Sequence, residues 1–297
     1  MNPVESRIIL GCMRIAELEP TAVRRLVEAV LAEGINFFDH ADIYGGGRCE
    51  ELFGEVLAQN PGLRETIVLQ TKCGIRSGMY DFSKEHILRS VEGSLKRLQT
   101  DYIDVLLLHR PDALMEPEEV AEAFTALEVQ GKVRWFGVSN HNSMQIALLQ
   151  KWLPQKIHFN QLQFGPAHTS MIDAGLNVNM GNDKALDRDG SILDYCRLND
   201  ITIQAWSPLQ FGFFAGLFLD EPAYADLNRT LARLAAEQNV APAAVAVAWI
   251  LRHPAQMQVV TGTTDPGRLK ALCQARRVSL SRDQWYEIYR AAGNELP

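Results

Sequence analysis

The sequence predicts an α/β fold, a single-domain (β/α)8 TIM barrel over residues 1–297. Short runs of β-branched and apolar residues alternate with amphipathic stretches along the chain. Most of these runs are nearly continuously apolar, as is typical of parallel strands buried on both faces. Eight such repeats favour a closed barrel over an open doubly wound sheet, which would need a glycine-rich fingerprint in its first strand–helix turn. The segment Gly11-Cys12-Met13-Arg14 lacks that fingerprint.

Eight segments have the length and apolar character of barrel strands. In chain order they are Arg7–Leu10, Ile35–Asp39, Ile67–Thr71, Val105–His109, Val133–Val138, Ile157–Gln161, Thr202–Trp206 and Gln258–Gly262. The carboxyl ends of parallel barrel strands meet at one rim, where such proteins place their catalytic and binding residues. The residues at which these eight segments end are therefore the candidates for function.

The segments between the strands have helical periodicity. One runs from Thr21 to Glu33, with apolar residues on one face and Gly34 as its C-cap. A second runs from Lys84 to Leu98 and follows Ser83, a residue type that caps helix N-termini. Further helices are predicted to begin at Pro117, Asp226 and Pro266, and a final one covers Arg282–Ala292.

The composition excludes several functional classes. Lys and Arg number 29 against 36 Asp and Glu, a formal net charge of −7, whereas nucleic-acid-binding domains usually carry an excess of basic residues. No apolar run approaches the roughly 20 residues of a membrane helix, and residues 1–7 lack the pattern of a secretory signal. The five cysteines are odd in number and form no CxxC pair, which predicts a reducing cytoplasmic compartment and no metal cluster.

Three successive predicted strands lead into ionisable side chains. Asp39 ends the second strand, Lys72 follows the third and His109 ends the fourth, while Tyr44 comes five residues after Asp39. A strand-end lysine is more often half of a structural ion pair, but here a tyrosine and a histidine are expected at the same rim. A tyrosine has a pKa of about 10, which a neighbouring ammonium group lowers. The set is therefore suited to donate a proton to a carbonyl group that the histidine orients.

Polar and aromatic residues end the next strands. The fifth strand leads into Ser139-Asn140, the sixth ends at Gln161, and the seventh leads into Trp206-Ser207-Pro208-Leu209. These side chains are suited to hold an amide-bearing ring such as nicotinamide and to stack on it. Each has a structural alternative: Ser139 and Asn140 as caps of the next helix, and Trp206 as a core residue.

A glycine- and threonine-rich turn follows the last strand. Gly262-Thr263-Thr264 leads into a helix that carries Arg268 about one turn from its start. Such a turn is typical of anion sites, because the N–H groups at a helix N-terminus are free and the helix dipole favours negative charge. The alternative is that Arg268 is an ordinary surface residue. We expect a nucleotide that supplies hydride to bind across this part of the rim.

Taken together, these segments resemble the aldo-keto reductase superfamily over nearly the whole chain. The resemblance rests on Phe37-Phe38-Asp39-His40-Ala41-Asp42-Ile43-Tyr44-Gly45, Gln70-Thr71-Lys72, Leu108-His109-Arg110-Pro111-Asp112, Gly131-Lys132-Val133-Arg134 and Gly137-Val138-Ser139-Asn140. It implies an NADP-dependent barrel oxidoreductase that reduces a small aldehyde or ketone to an alcohol with hydride from NADPH. From the composition and motifs together we expect no metal ion, no nucleic acid, no membrane and no obligate protein partner.

The resemblance also implies roles for individual residues. Tyr44 would be the proton donor, Lys72 and Asp39 would adjust it, and His109 would position the carbonyl group. Ser139, Asn140 and Gln161 would hold the carboxamide, Trp206 would stack on the ring, and Thr263, Thr264 and Arg268 would hold the adenosine phosphate. Further implied cofactor-binding residues are Ser207, Leu209 and Gly262.

Four residues at three sites in the chain depart from the family pattern. His40 stands where threonine is common, and strand alternation points it away from the barrel interior, so we expect a structural role. Gly262 stands where many members carry lysine, and Ala271-Leu272 replaces a Glu-Asn pair. These changes predict a weaker preference for NADPH over NADH and leave the four catalytic positions intact.

Other functions are compatible with parts of the pattern. A subunit that binds a nicotinamide nucleotide and senses redox state for a larger assembly would keep the same residues. A barrel aldolase with Lys72 as its Schiff-base lysine would leave Tyr44, Ser139-Asn140 and Gln161 without a role. A metal hydrolase is disfavoured, because the seven histidines are scattered and form no ligand pair at a strand end.

Overall fold

The computed structural model is a closed barrel of eight parallel strands, as predicted. It describes Pro3, residues 5–213 and residues 215–296; Met1, Asn2, Val4, Phe214 and Pro297, which the single-domain prediction includes, lie outside the described residues. The barrel strands are β1 (Ile8–Gly11), β2 (Phe37–Asp39), β3 (Val68–Cys73), β4 (Ile103–Leu108), β5 (Val133–Ser139), β6 (Ile157–Gln163), β7 (Thr202–Trp206) and β8 (Gln258–Thr261). Each strand pairs in parallel with its chain neighbours, and β1 pairs with β8 to close the barrel.

The strand boundaries differ from the predicted ones by a few residues. The difference that bears on the site is at the end of β3, which continues to Cys73 rather than ending at Thr71. Lys72 and Cys73 pair with Leu107 and Leu108 of β4, so the neighbouring strand supports this extension. Lys72 therefore lies within a strand, where its side chain has a fixed direction.

Helices surround the barrel on its outer side. Their bounds are α1 (Pro20–Ala32), α2 (Arg48–Gln59), α3 (Leu63–Thr66), α4 (Lys84–Leu98), α5 (Pro117–Val129), α6 (Ser143–Trp152), α7 (Ser170–Leu176), α8 (Ile192–Leu198), α9 (Ala225–Gln238), α10 (Pro242–Leu251), α11 (Pro266–Cys273) and α12 (Arg282–Ala291). Two short antiparallel hairpins, Ile75–Arg76 with Met79–Tyr80 and Gln210–Phe211 with Gly216–Leu217, lie in the loops after β3 and β7.

The helix signals in the sequence correspond closely to the structure. The helix α4 has the predicted bounds, and the Ser83 hydroxyl accepts the N–H of His86 at 3.3 Å. The helix α1 begins one residue before the predicted start, at Pro20, because proline needs no hydrogen-bond partner at the first helical position. Similarly, α9 begins at Ala225 rather than at Asp226.

Side chains alternate between the barrel interior and the helix layer along each strand. An apolar layer inside the barrel consists of Ile9, Phe37, Val68, Val105, Leu107, Phe159 and Val260. The alternate residue Phe38 belongs instead to the cluster between the strands and the outer helices. Because the side-chain period of a strand is two, Asp39 and Lys72 share the inward direction of Phe37 and Val68. Polar side chains therefore occupy the interior above the apolar layer.

Among the described residues, no single helix has both the length and the apolar character to cross a membrane. The bent pair Pro222–Gln238 and Pro242–Leu251, whose members meet at 93°, satisfies those criteria only when the two are combined.

Candidate active site

Three of the predicted catalytic residues form one hydrogen-bonded group at the rim. Lys72 Nζ donates to the two carboxylate oxygens of Asp39, at 2.7 and 2.8 Å, and contacts Tyr44 Oη at 3.1 Å. It also donates to the carbonyl oxygen of His40 at 2.8 Å. The side chains of Lys72 and Asp39 are almost completely buried. These contacts fix the ammonium group directly beside the Tyr44 phenol.

The electrostatics of this group differ from the sequence-based expectation. Burial raises the pKa of Tyr44, the charge of Lys72 lowers it, and the charge of Asp39 raises it. The net pKa is above the usual value for tyrosine. Burial opposes the charge of Lys72, but Asp39 and Tyr44 more than compensate and raise the lysine pKa. Lys72 thus lowers the pKa of Tyr44 as expected, but the loss of solvation on burial outweighs this effect, so the net pKa is raised rather than lowered. Tyr44 is a protonated phenol at neutral pH, with an ammonium group in place to stabilise its anion.

His109 lies against the same tyrosine. Its ring centroid is 5.9 Å from that of Tyr44, and the two rings meet edge to face. Burial, together with the charges of Lys72 and Arg110, holds the pKa of His109 well below its usual value, so the imidazole is neutral. Its Nδ1 is buried and has no hydrogen-bond partner among the described residues. A neutral imidazole can donate one N–H to a carbonyl oxygen without bringing a charge to it.

The backbone after β2 places Tyr44 by means of a glycine run. Gly45, Gly46 and Gly47 have φ angles of 58°, 64° and 97°, in the left-handed region that favours glycine. A Cβ atom on Gly45 would also lie 2.6 Å from the Cβ of Ala16. The chain therefore turns sharply after Tyr44 and leaves its side chain over the end of β3.

His40 has the structural role that strand alternation predicts. Its ring is fully buried outside the barrel, 4.8 Å from the ring of Phe53 on α2. Burial, with a smaller effect of Lys72, lowers the pKa of His40 to about 3. Within the part of the chain that the structure describes, no group of three or more His, Cys, Asp or Glu side chains is arranged to hold a metal ion.

The predicted ring-binding residues also lie together. Asn140 Nδ2 donates to Ser139 Oγ at 2.7 Å, and Ser139 Oγ donates to the backbone oxygen of Gln161 at 3.1 Å. The indole N–H of Trp206 donates to Asn140 Oδ1 at 3.2 Å. The hydrogen bonds join the ends of β5, β6 and β7 into one polar surface with an indole beside it.

Ser139 and Asn140 do not cap the next helix, which was the alternative role considered for them. The cap of α6 is Asn142, which forms a reciprocal capping box with Gln145. Asn140 instead has a φ of 59°, a left-handed conformation that is uncommon outside glycine and concentrates at functional sites.

The turn after β7 contains two further predicted cofactor-binding residues. Ser207 has a φ of 50°, and its carbonyl accepts the N–H of Gln210 at 3.1 Å. The carbonyl of Leu209 accepts the N–H of Phe218 at 3.1 Å. These backbone bonds hold the turn that follows Trp206.

The turn after β8 differs in one respect from a simple helix N-terminal anion site. Asp265 caps α11 by accepting the N–H of Arg268 at 2.7 Å, and Pro266 has no N–H. Thr263 Oγ1 accepts the N–H of Asp265 at 3.2 Å. Side chains of the turn thus use the N–H groups of Asp265 and Arg268, and a carboxylate lies at the start of α11. The side chain of Arg268 is exposed and has no ion pair among the residues described.

A chain of buried glutamines beneath the site was not singled out from the sequence. Gln70 Nε2 donates to Asp39 Oδ1 at 2.6 Å and to Gln204 Oε1 at 2.9 Å, and Gln204 Nε2 returns a bond to Gln70 Oε1 at 3.1 Å. Because Gln70 lies on β3 and Gln204 on β7, this amide pair crosses the barrel interior. Gln161 Nε2 also donates to Gln204 Oε1, at 3.1 Å. The amide group of Gln204 therefore connects Asp39 with Gln161.

The chain continues to the opposite end of the barrel. Gln204 Nε2 donates to Gln258 Oε1 at 3.0 Å, and Gln258 Nε2 donates to the carbonyls of Pro3 and Ser6, each at 2.7 Å. Gln70, Gln204 and Gln258 are all fully buried. The sequence does contain a signal for these residues. Each glutamine lies in a mainly apolar strand, at a position whose side chain points into the barrel.

The comparisons with known proteins agree with this geometry. The sequence profile described as the Aldo/keto reductase family matches residues 7–292. The chain belongs to the aldo/keto reductase family.

Two curated bacterial relatives and one solved structure are similar over almost their full length. An oxidoreductase of Bacillus subtilis strain 168, YcsN, which is itself uncharacterised, is 40% identical, with 98% of this chain and 96% of the relative covered. A 6-dehydroglucose reductase of Agrobacterium fabrum strain C58 is 38% identical, with the same coverage of 98% and 96%. The crystal structure of the thermostable aldo-keto reductase Tm1743 with the inhibitor epalrestat superimposes with a TM-score of 0.77 at 23% identity, covering 98% of this chain and 95% of that one. At 23% identity, this structural similarity shows a common fold only.

Proposed function

We propose that this aldo/keto reductase is NADP-dependent and reduces aldehydes or ketones to alcohols, with Tyr44 as the proton donor. The observation that carries the proposal is the position of Lys72, which Asp39 holds 3.1 Å from the Tyr44 hydroxyl. The neutral His109, in edge-to-face contact with the Tyr44 ring, adds a group that can orient a carbonyl oxygen.

The residues at the ends of β5 to β7 fit a nicotinamide nucleotide. Ser139, Asn140 and Gln161 supply hydroxyl and amide groups for the carboxamide, and Trp206, fixed by Asn140, supplies a ring face. NADPH, when bound, supplies the hydride. Thr263, Thr264 and Arg268 would hold its adenosine phosphate, with the planar fork of Arg268 suited to a phosphate group.

The chain's own part in the reaction is to move a proton and to stabilise charge. Tyr44 holds its proton at neutral pH, because burial raises its pKa. His109 donates an N–H to the carbonyl oxygen and places it within reach of the Tyr44 hydroxyl. As the oxygen becomes negative, Tyr44 releases its proton to it, and the Lys72 ammonium stabilises the phenolate. Asp39 keeps the lysine in position throughout.

The test is a comparison of the wild type with Tyr44→Phe. NADPH oxidation is followed with a panel of aldehydes and ketones that includes 6-dehydroglucose, the compound in the name of the Agrobacterium relative. We expect kcat to fall by about 10²–10⁴-fold, the usual worth of general acid catalysis, with unchanged affinity for NADPH. A variant that retains more than about a tenth of the wild-type kcat would refute the role of Tyr44. Single-turnover rates are the readout if cofactor release limits kcat.

We also propose a cytoplasmic location. All five cysteines are free and buried, which is suited to a reducing compartment. Cell fractionation with an antibody against the chain tests this, and recovery from the membrane or secreted fraction would contradict it.

A further inference from the structure

The space beside Gly262, at the end of β8, is filled by a side chain from another part of the barrel. Arg14 Nη1 donates to the carbonyl oxygen of Gly262 at 3.1 Å. An ideal Cβ atom on Gly262 would lie 3.2 Å from the same nitrogen. The guanidinium group of Arg14 therefore occupies the place into which a side chain at position 262 would extend.

Closure of the barrel brings these two residues together. Leu10 of β1 pairs with Thr261 of β8, so the loop after β1 lies against the turn after β8. Arg14 and Gly262 are 248 positions apart in the sequence, and only the pairing of the first and last strands makes them neighbours. Arg14 is consequently a rim residue on the side of the barrel that carries Thr263, Thr264 and Arg268.

The charge of Arg14 is not compensated within the protein. The side chain is exposed, and no carboxylate among the described residues lies within ion-pair distance of it. The adjoining turn supplies little positive potential of its own, because Asp265 uses the N–H of Arg268 and places a carboxylate at the start of α11. An anion held at this rim therefore depends on cationic side chains, and Arg14 and Arg268 are two that flank the turn.

We propose that Arg14 is a cofactor-binding residue that holds the pyrophosphate of the nicotinamide nucleotide. The assignment rests on the proposed function. Val260 pairs with Trp206 in the sheet, and Gly262 lies two residues further on, before the helix that carries Arg268. Gly262, whose carbonyl oxygen Arg14 contacts, thus lies along the chain between the residue paired with Trp206, which is expected at the nicotinamide ring, and Arg268, which is expected at the adenosine phosphate. The group that joins those two parts of the cofactor is the pyrophosphate.

This placement distinguishes Arg14 from Arg268. A pyrophosphate is common to NADPH and NADH, whereas the 2′-phosphate is present only in NADPH. Loss of Arg14 should therefore weaken both cofactors by similar factors, and loss of Arg268 should weaken NADPH selectively. A charged hydrogen bond is worth about 1.5–3 kcal/mol, and the lower end suits an exposed group, so we expect about a tenfold increase in Kd for each cofactor with Arg14→Met.

The experiment measures Kd for NADPH and NADH by calorimetric titration of the purified wild type and variants. Arg14→Met keeps the aliphatic length without the charge, and Arg25→Met on α1 is a matched control that removes another exposed arginine. Thermal unfolding of each variant shows whether the fold is kept. Unchanged affinities in Arg14→Met, or a loss confined to NADPH, would overturn the assignment to the pyrophosphate.

A second experiment uses the space that Arg14 occupies beside Gly262 and that a side chain at position 262 would enter. Gly262→Lys in the Arg14→Met background should restore most of the lost affinity, because the lysine can enter the space that the guanidinium has left. Gly262→Lys alone should give no gain, since Arg14 already fills that space. Additive effects of the two substitutions would contradict the proposal. If the wild type bound neither cofactor, both the proposed function and the role of Arg14 would fail. If the wild type bound both cofactors and Arg14→Met left both Kd values unchanged, only the inference about Arg14 would be refuted.

Discussion

Replacing Asp42 by asparagine is expected to alter the pH dependence of stability. The backbone N–H of Asp42, two residues before Tyr44, donates to the carbonyl of Lys72 at 3.0 Å, and its side chain is half-buried. Burial, and then the charge of Glu50, raise the pKa of Asp42 from 3.8 to about 7, although Arg97 and Ser90 act in the opposite direction. Oδ1 of the carboxyl has no hydrogen-bond partner in the described part of the chain.

The sign of the effect follows from the raised pKa. The folded protein binds the Asp42 proton more tightly than the unfolded chain does, so the stabilising contribution is complete below about pH 4 and is lost as the pH rises through about 7. Between pH 5.5 and pH 8 this linkage changes the logarithm of the unfolding equilibrium constant by about 1.5. At about 1.36 kcal/mol per unit, this change costs the wild type ~2 kcal/mol. Asparagine does not titrate, so the variant avoids this loss.

Urea denaturation at pH 5.5 and at pH 8 provides the measurement. Relative to the wild type, the free energy of unfolding of Asp42→Asn should rise by ~2 kcal/mol between the two pH values. Any loss from the substitution itself is common to both conditions and cancels in this difference. Asp101→Asn, at an exposed aspartate, is the control and should show no such change. An equal difference between Asp42→Asn and the wild type at both pH values would refute the raised pKa.

Two further predictions concern the cofactor surface and the buried amides. Because Trp206 is expected at the nicotinamide ring, Trp206→Tyr should keep cofactor binding but lose most of the quenching of tryptophan fluorescence, and undiminished quenching would place another tryptophan at the cofactor. Gln70→Met removes a hydrogen bond to the Asp39 carboxylate, so kcat should fall by about tenfold with an unchanged Kd for NADPH. Gln258→Met, at the far end of the amide chain, should leave kcat within about twofold of the wild type, and equal losses in the two variants would indicate a general loss of stability instead.

The sequence was sufficient for the features that depend on local pattern. Apolar runs located the eight strands, and the alternation of side chains separated the inward Asp39 from the outward His40. Ser83 marked the start of α4 because a capping hydroxyl acts within one helical turn.

Features that depend on closure of the barrel were beyond the sequence. The pairing of Gln70 with Gln204 joins strands on opposite sides of the interior, and the contact of Arg14 with Gly262 requires β1 to meet β8. The pKa of Tyr44 was misjudged for a related reason: its net direction depends on how much of the tyrosine is buried and on how fully Asp39 offsets Lys72, which only the packed structure determines.

The glutamine chain also bears on the path that protons can take. Side-chain amides keep their two hydrogens at neutral pH and have no ionisable group, so a line of them can hold Asp39 in place but cannot relay a proton. The chain reaches from Asp39 to the carbonyls of Pro3 and Ser6 at the closed end of the barrel. These amides therefore give protons no path through the barrel interior. Under the proposed function, each proton that Tyr44 donates is then replaced from solvent at the open rim.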